Sequence, residues 1–263
     1  MNIYYTNLCD CLPFSHLDDR EFQSVIGCWP IDPSKLETDL FDLITNPDKF
    51  DECDPDHILP LPSSDYYSVS EMNSAFGKAG SNALTLFYCN IRSLPKNLSL
   101  LHDILYCLES RPNIIAIFET RLNENSVSSI ELPHYYFFHH DSPTAAGGAG
   151  LNVSKNWKSI PRPDLQLDVE LVKSCWVEVD PCNGKAHVVI GCIYRHPSAN
   201  IDDFTRKLDE IIKNLNRKKL KVYILGDINT DFLKCNGHSP TEDNLEMLYS
   251  NNFLPIITKP TIV

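Results

Sequence analysis

The chain has 263 residues, 43% of them hydrophobic, and a formal net charge of −12. No run of about 18 apolar residues occurs, which argues against a transmembrane helix, and the start, Met1-Asn2-Ile3-Tyr4-Tyr5, lacks the basic region and apolar core of a secretory signal. The ten cysteines are scattered, with Cys89, Cys107 and Cys192 in apolar segments where a free thiol acts as a small hydrophobe, so a reducing compartment is expected.

Residues 1–80 hold 15 Asp/Glu against 4 Lys/Arg, and the remaining residues hold 20 against 19. The acidity therefore belongs to the N-terminal stretch, and the near-neutral remainder leaves room for a local basic face. Pro-punctuated acidic runs such as Asn46-Pro47-Asp48 and Cys53-Asp54-Pro55-Asp56 follow no helical or strand period. Residues 1–80 accordingly read as an acidic, largely disordered segment. Cys9-Asp10-Cys11 is too short a pattern for a structural zinc site, which needs four ligands. The small-residue stretch from Ser74 to Ser81 reads as a linker into a folded domain of residues 81–263.

From Leu84 the pattern sharpens. Leu84 to Cys89 is an apolar strand, Leu98, Leu101, Leu105 and Leu108 recur at helical spacing, and Ile114 to Phe118 reads as a buried strand. Gly147-Gly148-Ala149-Gly150 precedes a short strand at Leu151 to Val153 without a following helix, so it reads as a tight turn and not a phosphate cradle. Cys175 to Val179 and Val188 to Tyr194 are strands joined through a Pro181-Cys182-Asn183-Gly184 turn. Ile201, Phe204, Leu208, Ile211 and Leu215 mark an amphipathic helix, whose basic end (Lys213, Arg217, Lys218, Lys219, Lys221) suits either a solvated terminus or a phosphate contact. That helix leads into the strand Val222 to Leu225, and Asn244 to Ser250 is a shorter helical segment. The mixture predicts an α/β (α+β) domain with a largely buried sheet.

The strand ends carry the chemistry. Gly226-Asp227-Ile228-Asn229 closes the Val222 strand with an acid and an amide two positions apart, hence on one side of an extended segment. A carboxylate there can deprotonate a nucleophilic water, and a neutral amide can donate to a phosphoryl oxygen. An Asx-type turn is the plain alternative. Asn90 follows the Leu84 strand, Glu119 closes the Ile114 strand, and Tyr194 ends the Val188 strand. Sheets hold such groups rigidly while loops leave them open to ligand. His139, His140, His187 and His196 read as structural or solvated.

Tyr88-Cys89-Asn90-Ile91-Arg92-Ser93-Leu94, Phe118-Glu119-Thr120-Arg121-Leu122, Ile193-Tyr194-Arg195-His196-Pro197 and Gly226-Asp227-Ile228-Asn229 occur in that order. Together they resemble the endonuclease/exonuclease/phosphatase superfamily, and more narrowly the apurinic-type endonuclease domain of LINE-type non-LTR retrotransposons. The resemblance covers about residues 82–263, including Ile256 to Thr261. It implies a four-layer sandwich of two mixed β-sheets flanked by helices. It implies that Glu119 ligates Mg²⁺, or Mn²⁺ in its place, and that Asn90 arranges the metal and phosphate. It implies that Asp227 activates water, that Asn229 contacts the scissile phosphate and that Tyr194 positions it. The implied substrate is DNA, nicked to prime reverse transcription, with a reverse transcriptase domain in the intact parent protein. Residence in the nucleus, or the cytoplasm, follows from that substrate.

Three departures qualify the resemblance. Arg92 stands where apurinic repair enzymes commonly have an acid, and Arg121 where retrotransposon relatives often have an aromatic or His. The family closes with a Ser-Asp-His-like block, which is not reached by Val263, so the expectation is a domain lacking its final strands. An inactive remnant that at most binds DNA, and a phosphatase or phosphodiesterase of the same superfamily, are the alternatives.

Overall fold

The period-two and helical stretches of the sequence resolve into elements that bury their apolar sides against one another. The structure, a computed structural model, describes residues 26–30, 70, 73–74, 84–122, 130–142, 147–180, 187–230 and 239–255. The expected Ser74 to Ser81 linker, Cys9-Asp10-Cys11, the Pro181 to Gly184 turn and Ile256 to Thr261 lie wholly or almost wholly outside those residues. Most of the expected disordered segment does so as well.

The strands are β1 (Ile26–Pro30), β2 (Leu86–Asn90), β3 (Ile114–Phe118), β4 (Tyr135–His140), β5 (Ala149–Ser154), β6 (Lys158–Pro161), β7 (Val172–Asp180), β8 (Val188–Arg195), β9 (Lys221–Asp227) and β10 (Phe253–Pro255). The helices are α1 (Leu94–Cys107), α2 (Ile201–Arg217) and α3 (Ser239–Ser250). A four-stranded sheet runs β2-β3-β5-β4, and a six-stranded sheet runs β10-β1-β9-β8-β7-β6. Each contains one parallel pair, β2 with β3 and β8 with β9, among antiparallel neighbours. Both sheets are therefore mixed, as expected.

Three apolar clusters define the layers. Leu86, Tyr88, Ala116 and Leu151 of one sheet meet Val177, Ile190, Cys192 and Leu225 of the other in the central layer. Leu94, Leu98 and Leu101 of α1 cover Phe87, Ile115 and Ile117. Phe204, Leu208, Ile212 and Leu215 of α2, with Met247 and Leu248 of α3, cover Val189, Ile193, Val222 and Ile224. The order helix, sheet, sheet, helix is the α/β sandwich that the sequence predicts. Alternate residues of β2 and β9 point to opposite layers because strand side chains alternate.

Helix α2 starts cleanly because the Asn200 side chain accepts from the backbone N–H groups of Asp202 and Asp203. Its outer face is laced by exposed pairs such as Lys213–Asp209 at 2.7 Å and Arg206–Asp203 at 3.1 Å. The lysine-rich end is thus in part a solvated helix terminus. One strand falls where the sequence shows no strand pattern: Ile26 of β1 stands opposite Gly226 of β9, and Cys28 opposite Pro255 of β10. Backbone pairing with neighbours on both sides supplies what a five-residue run lacks locally. Among the described residues, no helix is long and apolar enough to cross a membrane.

Candidate active site

The two parallel pairs bring their C-terminal ends to one edge of the sandwich. In the smaller sheet Asn90 stands opposite Phe118, so Glu119 leaves β3 beside Asn90. In the larger sheet Tyr194 stands opposite Asp227. Asn90, Tyr194 and Asp227 share strand parity with Tyr88, Cys192 and Leu225, which all line the central layer. The three side chains therefore meet at one end of the layer between the sheets.

Asn90 ties the halves together. Its Nδ2 donates to Glu119 Oε1 at 2.8 Å and to Asp227 Oδ2 at 3.1 Å, a bond between residues 137 positions apart. Its Oδ1 accepts from the Arg92 backbone N–H at 3.1 Å, which fixes which way the amide faces. Glu119 also accepts from Arg121 Nη2 at 2.9 Å. Both residues are in the left-handed region, Glu119 at φ 51° and Arg121 at φ 50°. Backbone conformations of that kind are unfavourable for ordinary side chains and persist where the surroundings enforce them. Here the Leu94 N–H bonds Thr120 O at 2.9 Å and the Arg121 N–H bonds Gly147 O at 2.9 Å, holding the turn from both sides.

The glycine run expected as a tight turn lies beside the site, and its second half, Ala149 and Gly150, is the start of β5. Gly147 and Gly148 have φ values of 91° and 97°, and a Cβ on Gly147 would stand 3.1 Å from Tyr194 Cε1. A side chain there would press on the ring that faces the site.

Asn229 has φ 50° and donates from Nδ2 to the Arg195 carbonyl at 2.7 Å, so part of its amide is engaged in joining two loops. Arg195, 4% exposed, donates from Nε to Ile228 O at 2.7 Å, from Nη2 to Asn229 O at 2.9 Å and from Nη1 to Ala199 O at 2.7 Å. Neither Arg195 nor Arg121 has a site role that the sequence alone predicts. The available signal for Arg195 was an arginine directly after Tyr194 at the end of an apolar strand. The histidines are engaged elsewhere: His139 with Asp141 at 2.8 Å, His140 with Ser174 O at 3.1 Å and His187 with Glu178 at 2.9 Å. His196 Nδ1 accepts from the Ser198 N–H at 3.2 Å.

The electrostatics of the site are dominated by buried negative charge. Burial pushes the fully buried Asp227 carboxyl up from 3.8 to about 7; the Glu119 charge adds to this, while bonds from Asn229 N–H and Asn90 oppose it. Burial, then the charges of Glu119 and Asp227, lift the Tyr194 hydroxyl well above the usual tyrosine range, which keeps it a proton donor. Among the described residues no group of three or more His, Cys, Asp or Glu is placed to hold an ion. A hard divalent cation asks for less, because Mg²⁺ retains several waters and takes one or two carboxylates. Two carboxylates converging on a single amide bring together oxygen ligands of the kind such a cation takes.

No protein-family model matches the chain, and no curated protein matches it. Solved structures do match at low identity. The endonuclease domain of TRAS1, a telomere-specific non-LTR retrotransposon, is 14% identical over 63% of this chain and 69% of that one, with a TM-score of 0.45. The AP endonuclease LMAP from Leishmania major is 14% identical over 64% and 66%, with a TM-score of 0.49. An endonuclease/exonuclease/phosphatase family protein from Bacteroides thetaiotaomicron is 12% identical over 60% and 66%, with a TM-score of 0.45. The matched region thus spans about two thirds of each of those chains. These neighbours are endonuclease/exonuclease/phosphatase-type proteins, and the two-sheet α/β sandwich of the present chain stands on its own strand order and register.

Proposed function

We propose that this domain is a metal-dependent phosphodiesterase that nicks DNA, of the kind found in LINE-type retrotransposon proteins. The observation that carries the reading is the Asn90 amide, which bonds Glu119 of one sheet and Asp227 of the other. An arrangement serving the fold alone has no need to bring a second acid beside the fully buried Asp227, whose charge burial penalises.

Glu119 would hold Mg²⁺ or Mn²⁺, and Asn90, whose Nδ2 donates to Glu119 and Asp227, would orient the two carboxylates around it. When bound, such an ion polarises a phosphodiester and offsets charge on the leaving oxygen. Asp227 accepts a proton from the attacking water, and a carboxyl raised to about 7 is matched to that task near neutral pH. Tyr194, kept protonated, donates to a phosphate oxygen. Asn229 completes the edge facing the phosphate, its backbone N–H bonded to Asp227 Oδ1 at 3.3 Å, so acid and amide are oriented together.

A plasmid-relaxation assay with Mg²⁺ tests this. The wild-type chain should convert supercoiled plasmid to nicked circles, and Asp227→Ala should abolish the conversion while leaving thermal unfolding cooperative. Relaxation that persists in Asp227→Ala would overturn the assignment. Release of phosphate from inositol phosphates, with plasmid left intact, would move the chain to the phosphatase branch of the same chemistry.

A further inference from the structure

A second concavity lies at the opposite end of the sandwich. Tyr136 of β4 and Val153 of β5 pair four residues away from the His140 and Ala149 pair, which adjoins Phe118 and hence the candidate active site. At ~3.3 Å per residue the two places are about 13 Å apart along the strands. The concavity has a volume of about 420 Å³ and is lined by Tyr136, Phe138, Lys155, Asn156, Trp157 and Lys158, among others. That volume falls within the ~300–1,000 Å³ of ligand clefts. It opens where β4, the edge of one sheet, approaches β6, the edge of the other.

Its lining combines two kinds of group. Phe138 and Trp157 are partly buried against the central layer and make an apolar floor. Tyr136 is 50% exposed, unusual for so large a ring, and Lys155 Nζ lies 5.6 Å from its centroid. Lys155 reaches Glu131 only at 3.9 Å, with side chains 42% and 82% exposed, a pairing that water weakens and an incoming anion can displace. Lys158 is exposed at the start of β6, with Asp180 opposite it in register, so the net positive charge of the rim is small.

We infer that this concavity binds single-stranded nucleic acid, with a base against Tyr136 and Trp157 and the flanking phosphates on Lys155 and Lys158. Flat aromatic faces beside ammonium groups match the alternation of base and phosphate along an unpaired strand. A duplex keeps its bases stacked inside and offers no free ring to such a floor. The inference goes beyond the nuclease reading and needs none of Asn90, Glu119, Tyr194 or Asp227.

Fluorescence anisotropy of a labelled oligothymidylate of about eight nucleotides, titrated with the full chain in EDTA, tests it. Tyr136→Ala should weaken binding by about fivefold or more, since stacking on an aromatic ring contributes ~1–3 kcal/mol per base. Lys155→Gln combined with Lys158→Gln should flatten the dependence of log K on log salt by about 1.4, at ~0.7 per phosphate contact. Both variants alter exposed groups, and melting curves matching the wild type confirm that each is folded. Absence of binding, or affinity and salt slope unchanged in both variants, overturns the proposal. Loss of binding in Asp227→Asn but in neither pocket variant would place the strand at the catalytic edge, sinking this inference and sparing the nuclease reading. Weakened binding in the pocket variants of a chain that never nicks plasmid would sink the nuclease reading alone.

Discussion

Asp227 is a carboxyl whose folded environment resists its charge. Its pKa is raised from 3.8 to about 7, so between those values the native state holds a proton that the unfolded chain releases. Its contribution to metal-free stability is therefore full below about pH 4 and declines as pH rises toward 7. Asp227→Asn removes this dependence, and urea unfolding in EDTA across that window should show the wild type losing stability relative to the variant as pH rises. A constant difference between the two profiles would contradict the buried, charge-crowded placement. Arg195 yields a second prediction at this scale, because its planar fork bonds three carbonyls in different directions. Lys in its place keeps the charge and loses the fork, so Arg195→Lys should cost about 1.5–3 kcal/mol in urea unfolding. Nicking should fall by up to about 10²-fold as the Ile228 to Thr230 loop drifts. Identity and order of the acid, amide and tyrosine were legible in the sequence. The role of Arg195 was not, since its partners, the Thr230 hydroxyl apart, are backbone carbonyls and carbonyls leave no mark on residue type.

At the scale of elements, the amphipathic helices were the most legible parts because their apolar spacing is local. Ile201, Phe204, Leu208, Ile211 and Leu215 predict α2, and the structure buries Phe204, Leu208 and Leu215 together with Ile212, leaving Ile211 only partly buried. Phe204→Ala should cost about 3–5 kcal/mol, since the ring is fully buried against the larger sheet. Asn200→Ala should cost about 1 kcal/mol, as it removes a cap at the exposed start of the same helix. Equal losses for the two in chemical denaturation would mean that the helix is not anchored by that ring. Strand β1 was illegible for the opposite reason: hydrogen bonds to β9 and β10 define it, and both lie nearly 200 residues or more away in sequence. The Gly147 run reads as a tight turn in the sequence, but Ala149 and Gly150 already belong to β5, and the closeness of Gly147 to Tyr194 depends on β8 lying across from it.

For the molecule as a whole, the Asn90 to Asp227 bond exists only when both sheets are assembled, so an ion held there, as proposed, would couple its binding to folding. Mg²⁺ that binds the native state alone should stabilise it by about 2.7 kcal/mol at 100 times its dissociation constant. Glu119→Gln should abolish that rise in melting temperature while leaving the metal-free melting point nearly unchanged. A rise of the same size in Glu119→Gln would remove Glu119 from the ion site. By itself the sequence determined the kinds of group available and the strand ends that carry them, because side-chain alternation and apolar runs are properties of short segments. Only the tertiary structure decided that Asn90 spans 137 positions to reach Asp227, and that Tyr136, Trp157 and two lysines share a second concavity. Such distances are set by how two sheets pack face to face, and no local pattern encodes that.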